Sequence, residues 1–130
     1  MDEILKFLQD TKVFYLATAD GDQPCVRPLG FVMERNGKLV FSTSGKKAMC
    51  QQLKQNNKVE ICAYNGKETL RLRGDICFIT SPETQQAALD AAPFLARAYA
   101  VNDGVFELYE FNSGTATFSD LAGNIRAKDL

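Results

Sequence analysis

The chain has 130 residues, 45% of them apolar and 24% charged, and its 15 basic and 16 acidic side chains give a net charge of −1. This composition is ordinary for a single globular domain spanning residues 1–130, and it excludes a disordered, collagen-like or coiled-coil chain. The small net charge argues against a general nucleic-acid binder, and the absence of histidine removes the catalytic triads and metal sites that need imidazole.

The first 80 residues predict short strands joined by tight turns. Asp20-Gly21, Asn36-Gly37 and Asn65-Gly66 are dipeptides typical of hairpin turns, where the backbone needs positive φ. In chain order, the predicted elements are a helix at 2–10, strands at 13–18, 24–33 and 38–43, a helical segment at 45–55, and strands at 59–64 and 69–80.

The last 50 residues begin with a helix signal. Ser81 followed by Pro82 is a typical N-cap with proline in the first turn, and the alanine-rich segment to about residue 100 is helical, with Pro93 expected to break it. Two further strands follow at 106–111 and 115–119, and the polar tail is expected to be extended. Six or seven sequential strands with short connections favour an antiparallel barrel with helical insertions over a parallel sheet.

The four cysteines and the N-terminus bear on the cellular compartment. No two of Cys25, Cys50, Cys62 and Cys77 form a CxxC pair, so we expect reduced thiols and neither a zinc site nor a disulfide framework. The N-terminal segment is acidic and amphipathic, unlike a signal peptide, and no apolar run is long enough for a membrane helix. We therefore expect a cytoplasmic protein without a metal.

An arginine interrupts the second predicted strand. Arg27 lies among apolar residues, and its planar guanidinium suits a phosphate or a carboxylate. Pro28 cannot donate to a β ladder, so the strand is expected to be irregular or at an edge there, with backbone groups free for a ligand. The alternative is an ordinary surface arginine on the solvent face of the strand.

The third predicted strand ends in three hydroxyl residues, a glycine and two lysines, at residues 42–47, and a helix follows. Amide groups at a helix N-terminus favour anions, and Lys46 and Lys47 add full positive charges, so the segment predicts a phosphate cradle. It is not a Walker loop, because that spacing is missing. The alternative is a capped helix with solvated lysines. Arg27, Ser42 and Thr43 could converge with the lysines on one phosphate.

Two later strands offer weaker candidates. Alternation places Thr69, Arg71 and Arg73 on one face of the strand at 69–80, where they could line a groove or form an ordinary polar outer face. The segment 112–119 is small and polar with one aromatic residue, Phe118, and could let a flat ligand approach. Its alternative is a terminal strand with one core phenylalanine.

In order and spacing, these four segments resemble the FMN-binding split-barrel family. The similarity is to small pyridoxamine 5′-phosphate oxidase-like proteins, including the nitroimidazole-reductase-like and general-stress-protein-like groups, and it extends from Ile4 to Ser119. It implies a mainly β fold, a six-stranded antiparallel Greek-key split barrel. It also implies a homodimer that binds FMN in grooves between its subunits.

The resemblance also implies residue roles for FMN binding. Arg27 and Lys47 would bind the phosphate, with Ser42, Thr43 and Lys46 beside it, and the backbone of Pro28, Leu29 and Gly30 would run along the isoalloxazine. Thr69 and Arg71 would contact the flavin from the partner subunit, and Phe118 would contact the ring. The compact cradle suits a single phosphate and leaves both FMN and a deazaflavin open.

The function implied is an FMN-dependent oxidoreductase of a small molecule, with no protein side chain acting as acid or base. Val32 stands where pyridoxamine phosphate oxidases carry a lysine, and Thr69 where the family has a glutamine, so we expect a different substrate. The absence of histidine makes the haem-handling branches a poorer match. The alternatives are a non-catalytic flavin-binding stress or redox protein and a flavin-free dimeric scaffold.

Overall fold

One antiparallel sheet dominates the computed structural model, which describes residues 1–130. The elements are α1 (Asp2–Thr11), β1 (Phe14–Asp20), β2 (Gln23–Leu29), β3 (Met33–Arg35), β4 (Lys38–Ser44), α2 (Ala48–Gln55), β5 (Lys58–Tyr64), β6 (Glu68–Phe78), α3 (Pro82–Ala91), a 3-10 turn (Pro93–Arg97), β7 (Phe106–Asp120) and β8 (Ile125–Asp129). The strands follow the order β2-β1-β5-β6-β7-β4-β3, with β8 also paired to β7.

The expected mainly β split barrel is confirmed, with eight strands where the resemblance implied six. The predicted strand 24–33 is interrupted, since β2 ends at Leu29 and β3 begins at Met33. The two strands predicted after residue 105 form one continuous strand, β7. In place of the expected bend at Ser113-Gly114, the pairing of β7 with β6 shifts in register opposite Asp75 and Ile76. The extended tail is β8, whose residues are all exposed.

The hairpin turns follow the glycine signals with two differences. At the third signal, Tyr64 pairs with Thr69 and only Gly66 of the Asn65-Gly66 pair has positive φ, so this turn is longer than two residues. Asn36 and Gly37 both have positive φ, as a type I′ turn requires. At the first hairpin, Asp20 pairs with Gln23, so the turn residues are Gly21 and Asp22 and lie one position later than the dipeptide predicted. Only Gly21 has positive φ there, which is the requirement of a type II′ turn.

The helices pack through one face each. In α1, Ile4, Phe7 and Leu8 are buried. The α2 helix begins at Ala48, later than the predicted Gly45. A capping box starts α3, with the Ser81 hydroxyl accepting from the Thr84 amide at 3.1 Å. As predicted, Pro93 ends the helical segment and starts the 3-10 turn. None of the helices is long and apolar enough to cross a membrane.

Two separate apolar clusters hold the molecule together. The main core of 20 residues lies inside the barrel and includes Phe41. A second cluster of eight lies outside it, where Val40 and Leu108 pack against Ala88 of α3 and Leu95 of the 3-10 turn. Strand β4 is therefore buried on both faces, and the second cluster fixes the 3-10 turn beside the end of β4.

Candidate functional site

A cavity of about 530 Å³ opens where the ends of β2 and β4 meet the start of α2 and the 3-10 turn. This volume is within the range of small-molecule sites. Its lining residues are Arg27, Pro28, Leu29, Gly30, Phe31, Ser42, Thr43, Lys47, Met49, Phe94, Leu95 and Tyr99. The lining contains two cations and no carboxylate, so its charge favours an anionic ligand.

Arg27 is half-buried and holds its guanidinium in a network of neutral groups. Its Nη1 donates to the Thr18 hydroxyl at 2.7 Å, and its Nη2 donates to Gln52 Oε1 at 2.8 Å. The Thr18 hydroxyl itself donates to Gln52 Oε1 at 2.6 Å. None of the ion pairs in the structure includes Arg27. Arg27 therefore lines the cavity with a guanidinium whose positive charge is not compensated by a carboxylate.

Lys47 adds the second cation at the N-terminus of α2. It is the N-cap residue, no acidic residue lies in the first turn, and Lys47 forms no ion pair. The unpaired amides of a helix start carry partial positive charge, which adds to the attraction for an anion. Lys46 is exposed and outside the cavity lining, and its amide donates to the Ser44 hydroxyl at 3.2 Å.

The hydroxyl residues of β4 complete this end of the cavity. Ser42 is half-buried, and Thr43 is 3% exposed. The Thr43 Oγ1 is buried without a hydrogen-bond partner. The Tyr109 hydroxyl, inside the barrel, is also buried without a partner. Burial raises the pKa of Tyr109, so it stays protonated at neutral pH. Native proteins rarely leave a buried hydroxyl unsatisfied, so the orphan Thr43 hydroxyl at the cavity wall fits a ligand oxygen.

The rest of the side-chain lining includes an apolar and aromatic wall. It consists of Phe31, Met49, Phe94, Leu95 and Tyr99. Tyr99 stacks on Phe106 with ring centroids 4.5 Å apart, and burial raises its pKa, so its hydroxyl stays protonated at neutral pH. Phe94 is 56% exposed. None of these five residues was predicted from the sequence, although two aromatic residues close to a helix-breaking proline were an available signal.

Thr69 and Arg71 lie away from this cavity, on the outer face of the sheet. In the strand register, Thr69 is opposite Tyr64 and Arg71 is opposite Cys62. Arg71 Nε donates to Glu60 Oε2 at 2.8 Å, and Arg73 Nε lies 2.9 Å from Glu60 Oε1. The arginines are thus held by a carboxylate that sequence analysis left without a role. Within one chain, these residues do not meet the cavity.

Phe118 is a core residue. It is 2% exposed, and its ring meets that of Phe7 edge-on at 5.8 Å. The guanidinium carbon of Arg126 lies 4.1 Å from the centroid of the Phe118 ring. The packing accounts for this aromatic residue without a ligand, so its contact with a flavin stays a prediction that the geometry does not support.

Comparisons with known proteins identify relatives over nearly the whole chain. The family model described as pyridoxamine 5′-phosphate oxidase matches residues 1–112. Among solved structures, a NimC/NimA family protein of Clostridium acetobutylicum is 38% identical, with a TM-score of 0.92 over 98% of this chain and 93% of that chain. No curated protein matches the sequence significantly.

Two further structures share the fold at lower identity. One, from Clostridium acetobutylicum, is related to general stress protein 26 of Bacillus subtilis. It is 16% identical, with a TM-score of 0.74 over 99% of this chain and 93% of that chain. The other is a pyridoxamine 5′-phosphate oxidase-related, FMN-binding protein of Nostoc punctiforme. It is also 16% identical, with a TM-score of 0.61 over 99% and 93% of the two chains.

Proposed function

Because the chain belongs to the pyridoxamine 5′-phosphate oxidase family, we propose that its cavity binds FMN and that the protein is a flavin-dependent oxidoreductase of a small molecule. The observation that carries this proposal is that the half-buried Arg27, which no carboxylate pairs, and Lys47 line the same cavity as a set of apolar and aromatic side chains. A phosphate carries up to two negative charges at neutral pH, and a flat ring needs an apolar wall.

The chain's own residues would bind and orient the cofactor. Arg27 and Lys47 would bind the phosphate, and the hydroxyls of Ser42 and Thr43 would donate to its oxygens. The backbone from Pro28 to Gly30 would follow the ring. Bound FMN would supply the hydride or electron transfer, as cofactors generally do. The protein would contribute orientation, electrostatics and exclusion of water, and we assign no acid or base to a side chain.

A flavin titration of the purified protein tests the binding. We expect fluorescence quenching on addition of FMN and much weaker binding of riboflavin, because only FMN carries the phosphate that the cations attract. Titrations with FAD and with a deazaflavin phosphate extend the series, and the latter compares the affinity for a deazaflavin ring with that for a flavin ring. Equal affinity for FMN and riboflavin would contradict the phosphate assignment, and the absence of any flavin binding would remove the proposal.

Turnover is measured on the FMN-loaded protein as NAD(P)H oxidation, with and without a small electron acceptor. A rate above that of the same concentration of free FMN supports the oxidoreductase. Tight binding with no stimulation supports the alternative, a flavin-binding stress or redox protein that does not catalyse a reaction.

We further propose that a second copy of the chain completes the site. Val26, Tyr15 and Tyr64 are 68%, 50% and 57% exposed. The pairing of their strands places all three side chains on the outer face of the sheet. Thr69 and Arg71 lie on the same face. A partner seated there would cover this apolar surface and could bring its own Thr69 and Arg71 to the cavity of the first chain.

Charging this face tests the dimer. Val26→Asp is expected to convert a dimer to a monomer at micromolar concentration in sedimentation, because a buried unpaired carboxylate opposes association. FMN affinity should fall with it, since the partner's contacts are lost. Ala91→Asp at the exposed end of α3 adds the same charge elsewhere and should change neither. A monomeric parent protein with tight FMN binding would contradict the shared site.

A further inference from the structure

Gln52 is a buried polar residue that belongs to no motif in the sequence. It lies in α2, is 8% exposed, and its Oε1 accepts hydrogen bonds from both Arg27 and Thr18. A guanidinium has only donors, so the amide oxygen, and not the amide nitrogen, has to face Arg27. The side chain is therefore fixed in orientation by two donors, and it joins β2 to the helix that begins after Lys47.

The chemical type of this acceptor matters because a partly buried guanidinium is usually matched by a carboxylate. Here every acceptor is neutral: the Thr18 hydroxyl, the Gln52 amide oxygen and, at 3.5 Å, the Leu16 carbonyl. Glutamate has nearly the same shape as glutamine and would accept the same two hydrogen bonds. It would also neutralise Arg27, because a carboxyl beside a guanidinium stays ionised.

We propose that Gln52 is the positioning residue that sets the preference of this cavity for a phosphate monoester. It holds the Arg27 guanidinium in place through a neutral acceptor, so that the full positive charge stays available to a phosphate in the cavity. The proposal rests on the assignment of the cavity to FMN. It adds a residue that would act through Arg27 without touching the cofactor itself.

Two substitutions separate this electrostatic role from a structural one. Gln52→Glu keeps the shape and both hydrogen bonds but cancels the charge of Arg27. Gln52→Met keeps the neutral charge and the approximate size but removes the acceptor. We expect Gln52→Glu to weaken FMN binding about 100-fold, because a like charge is placed close to the phosphate. Riboflavin affinity should stay within about threefold, since riboflavin carries no phosphate.

We expect the two Gln52 variants to rank in the opposite order in thermal stability from their order in FMN affinity. Gln52→Glu gains an ion pair with Arg27 and should melt no lower than the parent protein, while Gln52→Met leaves the Thr18 and Arg27 donors without their acceptor and should melt lower. FMN affinity of Gln52→Met should fall about tenfold or less, because Arg27 keeps its charge and loses only its support. The salt dependence of FMN binding should also become weaker in Gln52→Glu.

The outcomes distinguish this inference from the proposed function. A parent protein that binds no FMN overturns the assignment of the cavity and this inference with it. A parent protein that binds FMN tightly, with Gln52→Glu binding it equally well, overturns this inference alone. A parallel loss of FMN and riboflavin in Gln52→Glu also overturns it, since that result means a general collapse of the cavity.

Discussion

Replacing Arg27 and Lys47 together by alanine is expected to weaken FMN binding by about 100- to 10,000-fold and to leave riboflavin binding nearly unchanged. A hydrogen bond to a charged group contributes about 1.5–3 kcal/mol, and about 1.4 kcal/mol corresponds to a factor of ten in affinity. Two such contacts therefore account for the range. Fluorescence titrations with the two flavins measure both affinities under the same conditions.

The double variant should still fold. Removal of the guanidinium leaves the Thr18 hydroxyl donating to Gln52, so no buried donor is orphaned, and Lys47 is exposed. Arg35→Ala with Lys67→Ala is the matched control, because it removes the same two charges from residues that form no ion pair and lie outside the cavity. Unchanged FMN affinity in the Arg27 and Lys47 variant, or equal losses in both double variants, would refute the phosphate site.

Gly74→Ala is expected to lower the free energy of unfolding by about 3 kcal/mol or more, and so the melting temperature by about 10 °C. Gly74 of β6 lies opposite Gly114 of β7, beside the register shift. A Cβ at Gly74 would overlap the carbonyl oxygen of Ser113 and lie 2.7 Å from the Phe111 ring. These contacts involve backbone and a core ring, so the strands themselves would have to separate.

A second glycine supplies the control. At Gly45, an added Cβ would lie 3.6 Å from the Val105 carbonyl oxygen, which is an ordinary contact, and its backbone needs no positive φ. Gly45→Ala should therefore change the free energy of unfolding by less than about 0.5 kcal/mol. Chemical denaturation of the two variants and the parent protein measures the difference. Similar stabilities for the two variants would show that the β6–β7 pair tolerates the extra carbon.

Local chemistry explains what could be predicted from the sequence. The hairpin at Asn36-Gly37 was predictable because few residue pairs accept positive φ at two successive positions. The grouping of cationic and hydroxyl residues at one cavity was predictable for a similar reason. Arg27 and the segment 42–47 each carry a recognisable chemistry within a few residues, and the structure places Arg27, Ser42, Thr43 and Lys47 around one cavity.

Long-range packing determines the rest. The aromatic wall depends on Leu95 joining the second core cluster and on Tyr99 stacking on Phe106, and the sequence pattern carries no information about either contact. The hydrogen bond between Thr18 and Gln52 joins residues 34 positions apart. Phe118 shows the converse problem, since one aromatic in a polar strand by itself favours a core position, and its ring contact was implied by the resemblance alone.

The division of the apolar residues into two clusters has a consequence for how such a protein can diversify. The proposed phosphate end of the cavity is built on β2, β4 and α2, which pack on the main core, while Phe94, Leu95 and Tyr99 belong to a layer held by the second cluster. Substitutions of the exposed Phe94 in that outer layer can reshape the wall proposed to face the ring, while Val40 and Leu108 of the barrel strands keep their contacts with the second cluster. If the cavity binds FMN as proposed, the architecture separates retention of the cofactor from the choice of what reacts with it, and selection can act on each.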